Sequence, residues 1–100
     1  TLYLRLKPSV SAREVREAYE AAYADEPFVT LLPEGAHATT LAVRGTNRCH
    51  LDLTVKGSLL VVHAAIDNIG KGSAGQALQC FNIRRGFDEQ LGLEAVGVYP

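Results

Sequence analysis

The residues best suited to chemistry lie in one run, Asp67-Asn68-Ile69-Gly70-Lys71-Gly72-Ser73-Ala74-Gly75-Gln76-Ala77-Leu78-Gln79. It follows the most apolar segment of the chain, residues 59–66, and opens a helix. Glycines at a helix start allow a ligand to approach unscreened N–H groups and the positive end of the helix dipole. Gly70-x-Gly72-x-x-Gly75 even spells a dinucleotide fingerprint. Its context argues against that reading. Asp67, Asn68 and Ile69 separate the strand from the first glycine, where the fingerprint needs the turn at once. No second parallel strand with a ribose-binding acid follows, and the chain has no room for a doubly wound sheet. Gly72 also interrupts the Gly-Lys-Ser/Thr order of a P-loop.

The histidines and cysteines offer less. His37 falls in a loop and reads as solvated. His63 is expected to face Asp52 across a hairpin, a pairing that orients an imidazole, yet no serine or cysteine is placed to use it as a base. An outward-facing structural pair is the expectation for His63, and a structural role for His50. Cys49 and His50 are neighbours whose side chains point to opposite faces of a strand, so they do not form a thiolate–imidazole pair. Cys49 and Cys80 fit no CxxC spacing and are expected to be reduced, mostly buried thiols. No set of ligands at metal spacing exists, so no metal site is expected.

These residues need a framework. Residues 2–6 alternate as a strand. Ser11-x-x-Glu14 is a capping box, with Val10 and Val15 placed as a hydrophobic staple. Val15, Ala18, Tyr19, Ala22 and Tyr23 form one apolar stripe, and Glu26-Pro27 ends the helix. Residues 28–32 form a second strand, parallel to the first if both share a sheet, with a right-handed crossover. Residues 33–47 are irregular, with strand expected at 41–44. His50 to Lys56 and Leu59 onward form a hairpin around Gly57-Ser58, a two-residue turn suited to type II′. Its register pairs Lys56 with Leu59, Thr54 with Val61, Asp52 with His63 and His50 with Ala65. Leu51, Leu53, Val55, Leu60, Val62 and Ala64 make the expected core face. A second helix runs from about Lys71 to Arg85, with Gly86 at its end. Gly75 inside it costs about 1 kcal/mol against alanine, which implies a close approach there, of backbone or ligand. The expected class is α+β: a mixed sheet with helices on one face, in strand–helix–strand–hairpin–helix order, as a single domain over residues 1–100.

Composition is that of an ordinary globular domain, 47% hydrophobic and 21% charged. A net charge of −1 gives no electrostatic case for nucleic acid or an acidic membrane. No apolar run is long enough to span a bilayer, and a cytoplasmic location is expected. The chain starts at Thr1, holds no methionine and enters a strand at once, which suggests a piece of something longer.

Several motifs together carry a specific resemblance. Asp67-Asn68-x-x-Lys71-Gly72-x-x-Gly75-Gln76-Ala77-x-Gln79, then Asn82 and Gly86, resembles the late segment of the N-acetyl-gamma-glutamyl-phosphate reductases. These are NADP-dependent enzymes of arginine biosynthesis related to the aspartate-semialdehyde dehydrogenases. Tyr23-x-x-Glu26-Pro27-Phe28-Val29, Val43-x-Gly45-Thr46-Asn47-x-Cys49 and Phe87-x-Glu89-x-x-Gly92-Leu93 resemble further segments in the family's order. The resemblance implies a glyceraldehyde-phosphate-dehydrogenase-like carboxy-terminal domain, used for catalysis and oligomerisation. It also implies that Asn68 brings its amide to the nicotinamide carboxamide of NADP. On residues alone, Asn68 reads as a turn-forming residue. Gly72 then permits close approach and Lys71 can neutralise an anion at the helix start, or else is a solvated lysine. Thr46 and Asn47 share the resemblance without an assignable role.

By the same resemblance the parent enzyme reduces an acyl phosphate to a semialdehyde through a cysteine thioester, with hydride from NADPH. The nucleophilic Gly-Cys-Tyr segment, the catalytic histidine segment and the cofactor-binding domain are absent from these 100 residues, so the chain alone is expected to be inactive. Cys49 does not match the nucleophile. An aminoadipyl-phosphate reductase of lysine biosynthesis remains an alternative, because one methylene of substrate length is set by pocket residues. A free-standing ferredoxin-like binding or oligomerisation module is the rival class, and a strand at residues 94–99 would favour it. Residues 59–66 are apolar on both faces, so the face around Leu59, Val61 and His63 is expected to join subunits into a homo-oligomer.

Overall fold

The computed structural model describes residues 1–97. Four strands form one mixed sheet in the order β1 (Leu2–Arg5), β4 (Leu59–Ile66), β3 (Cys49–Lys56), β2 (Val29–Leu31). Strand β2 pairs with β3 in parallel, whereas β1–β4 and β3–β4 are antiparallel. It follows that β1 and β2 run the same way, as expected, with the hairpin inserted between them. The expected hairpin register holds at all four pairs, including Asp52 opposite His63. Gly57 has φ 57° and, among the described residues, no non-glycine residue has a positive φ, which fits a type II′ turn.

Helix α1 (Ala12–Tyr23) starts on the expected capping box. The Glu14 N–H donates to Ser11 Oγ at 3.2 Å, and the Ser11 N–H donates to Glu14 Oε2 at 2.8 Å. Such a reciprocal cap is worth roughly 1 kcal/mol. The helix lies on the face of Leu53, Val55, Leu60 and Val62, where Val15, Val10, Tyr19 and Leu6 complete the core. Ala18 and Ala22, expected in the buried stripe, are exposed, because the contact with the sheet is made by the longer Val15 and Tyr19 side chains. Ala64 is likewise exposed and Ala65 buried, the reverse of the expected face, since α1 does not reach that end of β4 while residues 37–40 cover the other side.

Residues 41–44 are not a strand. Thr39 caps a single helical turn, α2 (Thr40–Val43), its Oγ1 accepting the Ala42 N–H at 3.4 Å. Val43 is completely buried, which anchors the turn against β4. The second long helix also departs from expectation at its start. Residues Gly70–Ala74 form a π-helical turn, and only then does α3 (Gly75–Arg85) begin, ending at Gly86 in the left-handed conformation. Helix α3 makes its main contacts with that π turn and does not lie across the sheet with α1. Leu78, Phe81 and Ile83 are exposed along it. Residues 94–97 carry no strand, and the remainder of the 94–99 segment lies outside the described residues. Among the described residues no helix is long and apolar enough to cross a membrane, and no group of side chains could hold a metal ion.

Candidate functional site

The glycine-rich run is organised by a single carboxylate, Asp67, immediately after β4. Asp67 Oδ1 accepts the N–H groups of Ile69 at 2.9 Å and Gly70 at 2.6 Å. Its Oδ2 accepts the Gly45 N–H at 3.0 Å, and its backbone carbonyl accepts the Gly72 N–H at 2.9 Å. The N–H bonds from Gly45 and Gly70, in that order, hold the carboxyl below the usual carboxylate range. The chain's own carboxylate therefore occupies the donors that a bound phosphate would need, which is a structural reason to discard the dinucleotide fingerprint.

The π turn has an identifiable cause. Its bonds run five residues back, from Gly72 to Asp67 and from Ala74 to Ile69. This widening lets the Thr46–Asn47 segment cross the helix start. A Cβ added at Gly70 would overlap the Thr46 carbonyl. One added at Gly75 would overlap Asn47 Oδ1 and come within 2.8 Å of the Gly70 carbonyl. The close approach expected at Gly75 is thus made by the Gly70 backbone and, beyond expectation, by the buried Asn47 side chain, with no ligand needed to explain it.

Thr46 and Asn47, without a role in the sequence, prove to be central packing residues. Both are buried, and Thr46 Oγ1 donates to the Val43 carbonyl at 2.7 Å. Asn47 Nδ2 donates to Gln79 Oε1 at 3.0 Å, while Asn47 Oδ1 has no hydrogen-bond partner among the described residues. Gln79 Oε1 also accepts Lys71 Nζ, and Gln79 Nε2 donates to Glu89 Oε1 at 2.7 Å. Asn82, almost wholly buried, donates to the Leu91 carbonyl at 2.9 Å and the Glu89 carbonyl at 3.3 Å. Much of the motif that carries the resemblance is therefore a polar knot joining the 46–47 segment, α3 and residues 89–91. The helix-propensity cost of Gly75 was the one sequence signal that pointed to it.

The sequence-derived site residues separate accordingly. Lys71 is turned inward, bound to Gln79 and 5.5 Å from the centre of the Phe28 ring. Gly72 is exposed, and a Cβ there would stand 3.2 Å from the Asp67 carbonyl and 3.7 Å from Asn68 Oδ1. Asn68 is exposed, and its side chain makes no hydrogen bond among the described residues. The turn-forming work falls to Asp67, so the Asn68 amide is left with its donor and acceptor unspent. It lines a cleft of about 380 Å³ together with Thr40, Leu41, Arg44, Ile66 and Asp67. Nothing in the sequence singles out Arg44.

The histidine cluster is built differently from expectation. His63 Nδ1 lies 3.0 Å from Asp52 Oδ1, as the register requires. Asp52 does not face solvent, however. It is buried under residues 37–38, and its Oδ2 accepts the Ala38 N–H at 2.7 Å. Burial pushes its carboxyl up, but the Ala38 N–H and the two imidazoles outweigh this and leave it below the usual range. His37 is largely exposed, 3.9 Å from the same carboxylate. Cys49 is half-buried, and desolvation raises its thiol, as expected for a structural cysteine. Cys80 is exposed, contrary to expectation, because α3 turns that face away from the sheet.

Comparison with known proteins adds the wider context. The chain is 50% identical over its whole length to an N-acetyl-gamma-glutamyl-phosphate reductase of Micrococcus luteus, covering 30% of that protein. It is 48% identical to the enzyme of the same name from Corynebacterium glutamicum over 95% of the chain and 28% of the relative. The Streptomyces clavuligerus reductase is also 48% identical, over the full chain and 30% of its own length. The chain thus spans less than a third of the length of the curated relatives it matches. Residues 1–68 match the family described as semialdehyde dehydrogenase, dimerisation domain, and with that match covering most of its length, this chain belongs to that family.

Proposed function

We propose that this chain is the carboxy-terminal catalytic and dimerisation segment of a cytoplasmic, NADP-dependent N-acetyl-gamma-glutamyl-phosphate reductase of arginine biosynthesis. The observation that carries the site is the unspent Asn68 amide at the end of β4. A side-chain amide donates and accepts at once, which matches a carboxamide and fixes one face of the ring that carries it. Asp67 orients this group by holding the turn on either side of it. Gly72 leaves it room, and Lys71, held by Gln79, sets a positive charge behind the turn. NADPH, when bound, supplies the hydride for reduction. The nucleophile lies outside these 100 residues, so the segment alone is not expected to turn over substrate.

The same reading assigns the subunit contact to the sheet face opposite α1. Leu59 and Val61 lie there beside His63, with Tyr3 and Arg5 across from them on β1. Leu59 and Tyr3 are exposed, at 42% and 68%, because residues 37–40 cover only the Asp52 and Ala65 end of this face. A second copy about a two-fold axis buries such a patch symmetrically.

The test is Asn68→Ala in the full-length polypeptide. Losing one or two hydrogen bonds to a neutral amide lowers kcat/KM with NADPH by roughly 5- to 150-fold. Wild-type kinetics in a folded variant would reduce Asn68 to a surface residue.

A further inference from the structure

The cleft beside Asn68 contains a second group that the proposed function does not use. Arg44 is exposed, lines the cleft and makes no ion pair among the described residues. The other charge in the cleft is Asp67, whose carboxylate is already shared among three backbone N–H donors. The Arg44 charge acts on that carboxylate through space without pairing with it, so its guanidinium fork stays available. Leu41 and Ile66 flank the cleft, 47% and 40% exposed, and provide apolar walls.

The positioning of Arg44 is tied to that of Asn68 through one side chain. Asp67 Oδ1 fixes the turn that carries Asn68, and Asp67 Oδ2 accepts the N–H of Gly45, the residue after Arg44. The Arg44 N–H bonds back to the Leu41 carbonyl at the end of α2, which sets where the side chain leaves the backbone. A neutral amide, a guanidinium and two apolar side chains thus share one opening, held by a common clamp.

We propose that Arg44 binds an anionic oxygen group, phosphate or carboxylate, of a ligand seated beside Asn68. A guanidinium meets such a group through two parallel N–H bonds, a geometry lysine cannot reproduce. This rests on the reading of Asn68 as a cofactor contact, and within it two ligands carry the required chemistry: the phosphates of the dinucleotide and the charged ends of the acyl-phosphate substrate.

The experiment compares Arg44→Gln, Arg44→Lys and Asn68→Ala in the full-length polypeptide. It measures the Kd of NADP by calorimetry and the KM of N-acetyl-gamma-glutamyl phosphate. Arg44→Gln is expected to raise one of these by about 10- to 100-fold, the range for a lost charge-assisted contact, with partial recovery in Arg44→Lys. A rise in Kd of NADP identifies the dinucleotide as the source of the anion, and a rise in KM identifies the substrate. Values within roughly twofold of wild type for both ligands in Arg44→Gln, or in Arg44→Lys if the first variant fails to fold, overturn the proposal. An impaired Asn68→Ala beside a normal Arg44→Gln sinks only the anion site. The converse result leaves the anion site standing and removes the nicotinamide contact.

Discussion

Replacing Gly75 with alanine tests the explanation of the π turn, because two principles predict opposite signs. In an open helix interior the change stabilises by about 1 kcal/mol. Here the new methyl group meets Asn47 Oδ1 on one side and the Gly70 carbonyl at 2.8 Å on the other. Asn47 is buried and held by Gln79, and the Gly70 carbonyl is backbone within the π turn, so neither is a flexible side-chain end. Overpacking of this kind costs about 1–3 kcal/mol, and two rigid neighbours put the site in the upper half of that range. Subtracting the propensity gain leaves a net loss of about 1–2 kcal/mol. Urea denaturation read by circular dichroism should show a lower midpoint at unchanged slope. The single change Asn47→Ala also destabilises, through its lost bond to Gln79. In the double variant the methyl group escapes the amide oxygen, so the two losses should sum to more than the measured one by about 0.5 kcal/mol or more. A Gly75→Ala chain as stable as wild type, or more stable, would refute the steric account.

Asp67→Asn should destabilise the chain at pH 7, since a neutral amide offers weaker acceptance to Gly45 and Gly70. The folded carboxyl lies below its unfolded value, so its contribution is complete above about pH 4 and fades as the pH falls through the folded value. Denaturation midpoints of the two proteins should therefore converge in acid, and a gap that persists at low pH would mean the charge is irrelevant. Val61→Glu should split the oligomer of the full-length polypeptide while leaving the circular dichroism intact. Sedimentation that matches wild type would move the subunit contact elsewhere.

The parts of the fold legible in the sequence were those fixed by neighbours along the chain. Ser11 and Glu14 stand one helical turn apart, and Gly57-Ser58 dictates the register of every pair in the hairpin. Thr39 was readable in principle, being a cap three residues before Ala42, but β-branched Thr40 and Val43 gave the segment a strand-like composition. Beyond the helix-propensity cost of Gly75, nothing in the sequence announced the polar knot. Asn47, Lys71, Gln79 and Glu89 come from separate segments, and each alone reads as a surface residue. The projection of α3 is not legible in the sequence for a related reason. Its apolar residues are spread around the helix rather than gathered on one stripe, so no face announced where it packs. At the site, Asp67 and Asn68 look interchangeable as turn formers. Only the direction of the Asp67 carboxylate separates the clamp from the unspent amide.

The strand order also governs how the sheet can assemble. Strands β3 and β4 are joined by two residues, so their pairing closes a minimal loop, whereas Leu2 must find Val62 and Val29 must find Cys49 across much longer stretches of chain. Loop closure of the hairpin is entropically cheapest and takes microseconds, while the outer strands wait on slower searches. The hairpin is thus the template, and β1 and β2 add to its two free edges independently of each other. Mutations in the Gly57-Ser58 turn should slow folding, and mutations in β1 should mainly hasten unfolding.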